Sequence, residues 1–188
     1  MLVLEAVMIG LLAALVAGGR IRSLASERLW AEGVLLTVLP FQIIWPLATR
    51  HFGIRCAWSV AAWLLMMLIL FFVLVANSRR RSVLLVAALG VAANILVIGL
   101  NGAMPVSINA ISEIGATRSS ARALLAQHCL YRELNEDTAL PLFADVIPIP
   151  GPRWQRSVVS VGDLLLAVGL GGWIFVACRD HRSEGVRQ

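Results

Sequence analysis

Apolar residues fall into long runs separated by short arginine-bearing segments, and one stretch in the C-terminal half breaks that rhythm. The runs cover residues 2–17, 30–48, 57–76, 83–100 and 158–176. A bilayer's hydrocarbon core takes about 20 apolar helical residues, so each run predicts a membrane-crossing helix. The first carries Glu5 near its start and ends at Gly18-Gly19. The second is interrupted by Pro40 and Pro46. The third is the most apolar, with an unbroken centre from Leu64 to Phe72. The fourth holds the polar Asn94. The pattern predicts an all-α, polytopic membrane helix bundle of five spans. It forms a single domain over residues 1–188, with a partly helical extracytoplasmic loop at residues 101–156.

Composition agrees with this reading and excludes the alternatives. Of 188 residues, 59% are hydrophobic and only 14% charged, whereas soluble domains carry about 25% charged residues. The net charge is +5, and all 16 basic residues are arginine. They sit in clusters between apolar runs rather than on one face, which argues against nucleic-acid binding and sets orientation instead. Arg20, Arg22 and Arg28, then Arg79, Arg80 and Arg81, then Arg179, Arg182 and Arg187 all fall on one side of a five-span chain. That side is expected to be cytoplasmic, with the N-terminus outside and the C-terminus inside. The expected location is a bacterial inner (plasma) membrane. Trp30, Trp45, Trp58, Trp63 and Trp154 lie near run ends, as an interfacial aromatic belt does, and Trp173 lies deeper. The first run lacks the charged start and cleavage signature of a secretory signal.

The outer loop balances Arg118, Arg122, Arg132, Arg153 and Arg156 against Glu113, Glu133, Glu136, Asp137 and Asp145. Ser107 is a candidate cap for a short helix ending at Gly115. Thr117 or Ser119 starts a second helix expected to reach about Glu133. Pro141, Pro148, Pro150 and Pro152 predict an extended, helix-free stretch after it. Cys56 and Cys129 are both placed near the outer surface, so a bridge between them is open. Three unpaired thiols, with Cys178 at the inner end, is the preferred reading. No spacing of ligands calls for a metal, and nothing calls for a cofactor.

The chemistry concentrates between Leu142 and Gly169. Asp145 sits among apolar residues, and Asp163 opens the last span 18 residues later. Ionisable groups at membrane depth are costly and mark function by default. Two close carboxylates share a proton, one serving as acid and the other as base. The plainer reading makes Asp163 part of a capping box with Ser160 and pairs Asp145 with Arg153 or Arg156. His128, four residues before Arg132 on the expected loop helix, and Asn101 are candidate supporting residues. Gln42 and Asn94 are the polar residues that a transport path would use. Gly162, Ala167, Gly169 and Gly171 give the last helix a small-residue face suited to close packing or to homo-oligomerisation.

The order Asp145, Pro-rich link, Asp163 at the head of the final span resembles the C-terminal half of lipoprotein signal peptidase (signal peptidase II). The resemblance covers about a sixth of the chain and implies an aspartyl dyad at Asp145 and Asp163. The Asn-x-x-Asp-Arg element of that family is absent here, and five spans replace its four. A broader resemblance runs through Asn101-Gly102-Ala103-Met104-Pro105-Val106-Ser107, His128, Thr138, Leu142 to Pro150 and Ser160-Val161-Gly162-Asp163. These residues are similar to an uncharacterised bacterial membrane family, domain of unknown function 5317, which implies membrane integration and no activity. The leading expectation is a non-catalytic membrane module whose outer loop binds a partner or lipid. The alternative is an intramembrane aspartyl hydrolase using Asp145 and Asp163, and a small transporter or channel ranks third.

Overall fold

The computed structural model describes residues 2–152 and 155–180. It is mostly helical, with α1 (Leu2–Val16), α2 (Ile21–Ser26), α3 (Glu32–Phe52), α4 (Cys56–Ser78) and α5 (Leu84–Asn101) in the first half. The second half holds β1 (Met104–Val106), α6 (Ile108–Glu113), α7 (Arg118–Ala126) and β2 (Tyr131–Glu133). A 3₁₀ turn (Pro141–Phe143), β3 (Ile147–Ile149), β4 (Ser157–Val159) and α8 (Val161–Arg179) follow.

Among the described residues, α4, α5 and α8 are long and apolar enough to cross a membrane. They mark the chain as a membrane protein. Their outward residues include Leu65, Phe72 and Leu96, each more than half exposed, as side chains facing lipid would be. The 15-residue α1 is shorter than a full span, and α3 is a 21-residue helix that contains Pro40 and Pro46. The chain direction is informative. Gly10 and Ala6 pack at Gly171, and the Arg20 N–H donates to the Cys178 carbonyl at 2.8 Å. Hence α1 and α8 run parallel, while α5 runs antiparallel to α8, with Gly90 at Gly162 and Ala87 at Gly169.

The close crossings explain the small-residue face of α8. A methyl group on Gly90 would lie 2.6 Å from the Leu166 nitrogen, and one on Gly169 would lie 2.7 Å from Ala87 Cα. On α8, Gly162 and Gly169 are covered by α5, and Gly171 is covered by α1. Around this seam Leu74, Leu84, Ala87, Val91 and Leu166 form the main core.

Arginine organises one end of the bundle. Arg81 pairs with Glu27 and, at 2.8 Å, with Asp180. Its hydrogen bond to Glu27, with Asp180 adding, pushes the guanidinium's pKa above its ordinary value. The same end holds Asn77, which accepts from the Trp30 N–H at 2.8 Å and donates to the Trp30 carbonyl at 3.0 Å. Among the described residues, the segments that carry Arg20, Arg81 and Arg179 therefore meet at one end of the bundle; Arg182 and Arg187 lie outside the described residues.

Several details depart from expectation. The loop, expected to be partly helical with an extended stretch, also carries strand pairs: β1 pairs parallel with β2, Met104 opposite Tyr131, and β3 pairs antiparallel with β4. The last helix starts at Val161 rather than residue 158, because Ser160 caps it and Ser157–Val159 pair as a strand. The second loop helix ends at Ala126 and not near Glu133. The helix-free stretch contains a 3₁₀ turn opened by Pro141, at the position where a missing N–H costs nothing. The expected caps hold at Ser107, which accepts from the Ala110 N–H, and at Thr117, which accepts from the Ser120 N–H.

The preference for unpaired thiols is overturned. Cys56 and Cys129 are joined, with Cα atoms 4.9 Å apart, and only Cys178 is free. The fold brings the start of α4 to the loop after α7, which spacing along the chain does not show. Cys129→Ser is expected to cost about 2–4 kcal/mol of stability. Hydrogen exchange across residues 127–133 would check this, and unchanged protection there would contradict it.

Candidate functional site

Hairpin register brings the two aspartates together. Ile147 pairs with Val159, two residues before α8 begins, so the chain just before Ile147 reaches the head of α8, and Asp145 lines one cavity with Asp163. On its other side Asp145 is bridged to Val106. Its N–H donates to the Pro105 carbonyl and its carbonyl accepts from the Ser107 N–H, both at 2.9 Å. Met104 and Leu130 anchor this β layer by packing against Val60, Val97 and Ile98 at the ends of α4 and α5.

Asp145 is only 6% exposed, and its Oδ1 is buried without a hydrogen-bond partner. Burial, with a smaller contribution from the charge of Asp163, pushes its carboxyl up to about 8. Desolvation disfavours the ionised form, so Asp145 keeps its proton at neutral pH. Asp163 has different surroundings. Its Oδ1 accepts from Asn94 Nδ2 at 2.7 Å and its Oδ2 from the Ser160 N–H at 3.2 Å. Ser160 Oγ in turn accepts from the Asp163 N–H and donates to Asn94 Oδ1, each at 3.0 Å. The capping box read from the sequence is therefore present, and Asn94 on α5 extends it across the helix crossing.

Asp145 and Asp163 wall one cavity of about 80 Å³, together with Asn94, Tyr131, Trp63 and Met67 among others. The free space is enough for several waters by size. Tyr131 is 43% exposed as a whole residue, while its phenol group is buried. Burial, then the charges of Asp145 and Asp163, push its phenol up to about 12. A larger chamber of about 330 Å³ adjoins this cavity, and Trp63, Leu130 and Tyr131 line both.

The supporting residues chosen from sequence lie elsewhere. Asn101 is a loop anchor: it accepts from the Ala139 N–H and donates to the Ala139 carbonyl, each at 2.9 Å. It does not line the aspartate cavity. His128 lies beyond the end of α7, so it shares no helix face with Arg132, which donates to the Asn101 carbonyl in β2. His128 faces the larger chamber, with its ring against Tyr131 at 6.1 Å. Arg156 donates to the Gly151 and Ile114 carbonyls, leaving Asp145 unpaired with it. Arg153 and Trp154 lie outside the described residues, as does the side chain of Gln42. Asn94, the other residue of the transport reading, is tied to Ser160 and Asp163.

The residues that sequence reasoning missed as site members are Asn94, Tyr131 and Trp63. Asn94 carried a signal, being a carboxamide in an apolar span. Tyr131 is the chain's one tyrosine, yet nothing along the chain links it to Asp145.

A family model matches residues 28–175. The chain belongs to DUF5317, a family of unknown function. The match spans α3 through nearly all of α8, so the DUF5317 region includes the hairpin, both aspartates and Asn94. No curated protein and no solved structure matches this DUF5317 chain.

Proposed function

We propose that this membrane protein is an aspartyl hydrolase, with Asp145 as acid and Asp163 as base, working at the outer face of the bilayer. The carrying observation is that the two carboxyls wall one cavity in opposite conditions. One is buried with an unpartnered Oδ1 and its pKa pushed up to about 8, and the other accepts hydrogen bonds at both oxygens. Environments that push two carboxyls apart divide acid from base work.

The chemistry balances with water as nucleophile. Asp163 takes a proton from a water whose oxygen attacks the carbonyl carbon of a peptide bond, and Asp145 gives its proton to the carbonyl oxygen. Collapse of the tetrahedral diol returns that hydroxyl proton to Asp145, while Asp163 passes its proton to the departing nitrogen. Asn94 holds the base in place. In this reading α1 and α3 also cross the membrane, giving five spans with the N-terminus and the loop outside. The parallel run of α1 and α8 supports that, as does a disulfide at the loop end, since such bonds persist in oxidising compartments.

Internally quenched peptides carrying a membrane anchor, offered to the full chain in nanodiscs, test the proposal. Cleavage is expected, and Asp145→Asn and Asp163→Asn should each lower it by about 10²–10⁴-fold with the disulfide intact. Absence of cleavage by the unaltered protein, or variants that cleave as fast as it does, overturns it.

A second reading is favoured by the capping box. Asp163 fulfils a helix-start role as the third helical residue of the box, where an acid is favoured by the helix dipole by about 0.3–1 kcal/mol, without any reaction. On that reading the disulfide-tethered loop is a non-catalytic module that binds a lipid or protein partner.

A further inference from the structure

The larger chamber beside the aspartate cavity is a site in its own right. Its wall is built from Pro46 and Thr49 on α3, Trp63 on α4, and Gln127, His128 and Tyr131 on the loop. Three separate parts of the chain thus converge on about 330 Å³, at the lower end of small-molecule sites. Cys129, bonded to Cys56, fixes the loop part to the start of α4.

Depth and lining chemistry define the occupant. Trp63 lies seven residues into α4, or about 10 Å along a helix rising 1.5 Å per residue. Thr49 is one turn from the end of α3. With α3 and α4 both crossing the bilayer, as the five-span reading proposed above has it and on which this inference rests, the chamber sits where headgroups meet acyl chains. Ile44 and Leu47, on the same turns of α3, are 61% and 63% exposed and offer an apolar path beside it. The described lining residues present a hydroxyl, a carboxamide, an imidazole, an indole and a phenol, none of them a fixed charge. Thr49 donates its proton to the Pro46 carbonyl at 2.9 Å, so its oxygen is left as an acceptor. Amphipathic aromatic side chains suit such a boundary, one end apolar and the other wet.

We infer that this chamber binds the uncharged, hydroxyl-bearing headgroup of a bilayer amphiphile, with the tail lying along α3. The inference is independent of whether the aspartate pair turns over a substrate.

Tryptophan quenching by brominated lipids tests it. The full chain in phosphatidylcholine vesicles is titrated with dibrominated dioleoylglycerol, and the signal of Trp63 is isolated by difference from Trp63→Phe. Saturable quenching at low mole fraction is expected. A Thr49→Val/Gln127→Ala variant should need about tenfold more lipid, as loss of one or two hydrogen bonds predicts. Retained Cys56–Cys129 bonding and melting report that each variant is folded. Quenching that rises linearly and is unchanged in the variant means ordinary lipid contact and overturns the inference. Equal quenching by dibrominated phosphatidylglycerol overturns the uncharged head, and displacement by glycerol in water overturns the bilayer source. Repeating the titration in Asp145→Asn separates the proposals: saturation there, with no peptide cleavage by any form, leaves this site standing and removes the hydrolase. Cleavage without saturation does the reverse.

Discussion

Asp145→Asn is expected to make the folded protein more stable at pH 8, and to flatten its stability between about pH 4 and 8. An ordinary aspartate ionises near 3.8, and burial with the Asp163 charge raises Asp145 to about 8 in the fold. Between those values the unfolded chain has released the proton and the folded chain has kept it. Folding then takes up a proton, so stability is greatest below the unfolded pKa and declines as pH rises toward the folded one. The slope is about 1.4 kcal/mol per pH unit for one group, and the loss levels off above pH 8. An asparagine has no proton to lose. Denaturation at several pH values, compared between the unaltered chain and Asp145→Asn, isolates this residue from all others. Identical slopes in the two proteins would contradict a protonated Asp145. Gained stability with lost cleavage is the signature of a group kept for function at the expense of stability.

A second large effect is expected at the α5–α8 crossing. Gly169→Ala puts a methyl group 2.7 Å from Ala87 Cα, with backbone rather than a yielding side-chain tip in the way. Overpacking of this kind costs about 1–3 kcal/mol, and Gly169→Val is expected to separate the helices. Gly99→Ala is the matched control. It lies in α5 with nothing within 4 Å of the added atom, so helix propensity alone predicts no loss and up to about 1 kcal/mol of gain. Thermal melts of the two alanine variants in the same membrane mimic check the contrast. Equal melting would mean that the crossing is looser than described. Separation of α5 from α8 would also part Asn94 from Ser160 and Asp163, so cleavage is expected to fall with stability in Gly169→Val.

The parts of the molecule legible in the sequence are those set by neighbours along the chain. Apolar runs of span length give α4, α5 and α8 because lipid must be met by apolar side chains and backbone groups must be satisfied within a helix. Ser107, Thr117 and Ser160 cap their helices through N–H groups three residues on, so the cap and its target are read together. Arginines between the apolar runs mark one end of the bundle, where Arg81 pairs with Glu27 and Asp180.

Other features depend on partners far apart in sequence, and only the tertiary structure decided them. Cys56 and Cys129 are 73 residues apart; the expected topology leaves a bridge between them open, and only the fold brings their Cα atoms to 4.9 Å. Strands of three residues rich in proline, such as Ile147–Ile149, carry no alternation from which to infer a ladder. The hairpin that sets Asp145 beside α8 was therefore hidden, although both aspartates were visible. His128 is read as part of a helix that ends at Ala126, before reaching it, whereas Asn101 does close α5 but has its carboxamide tied to Ala139. Tyr131 and Trp63 enter the site because β2 and α4 meet there. By itself the sequence determined the apolar spans, the helix starts and the identity of the two acids. Tertiary structure decided which groups surround them, because burial and pairing are properties of contacts between distant segments and not of either segment alone.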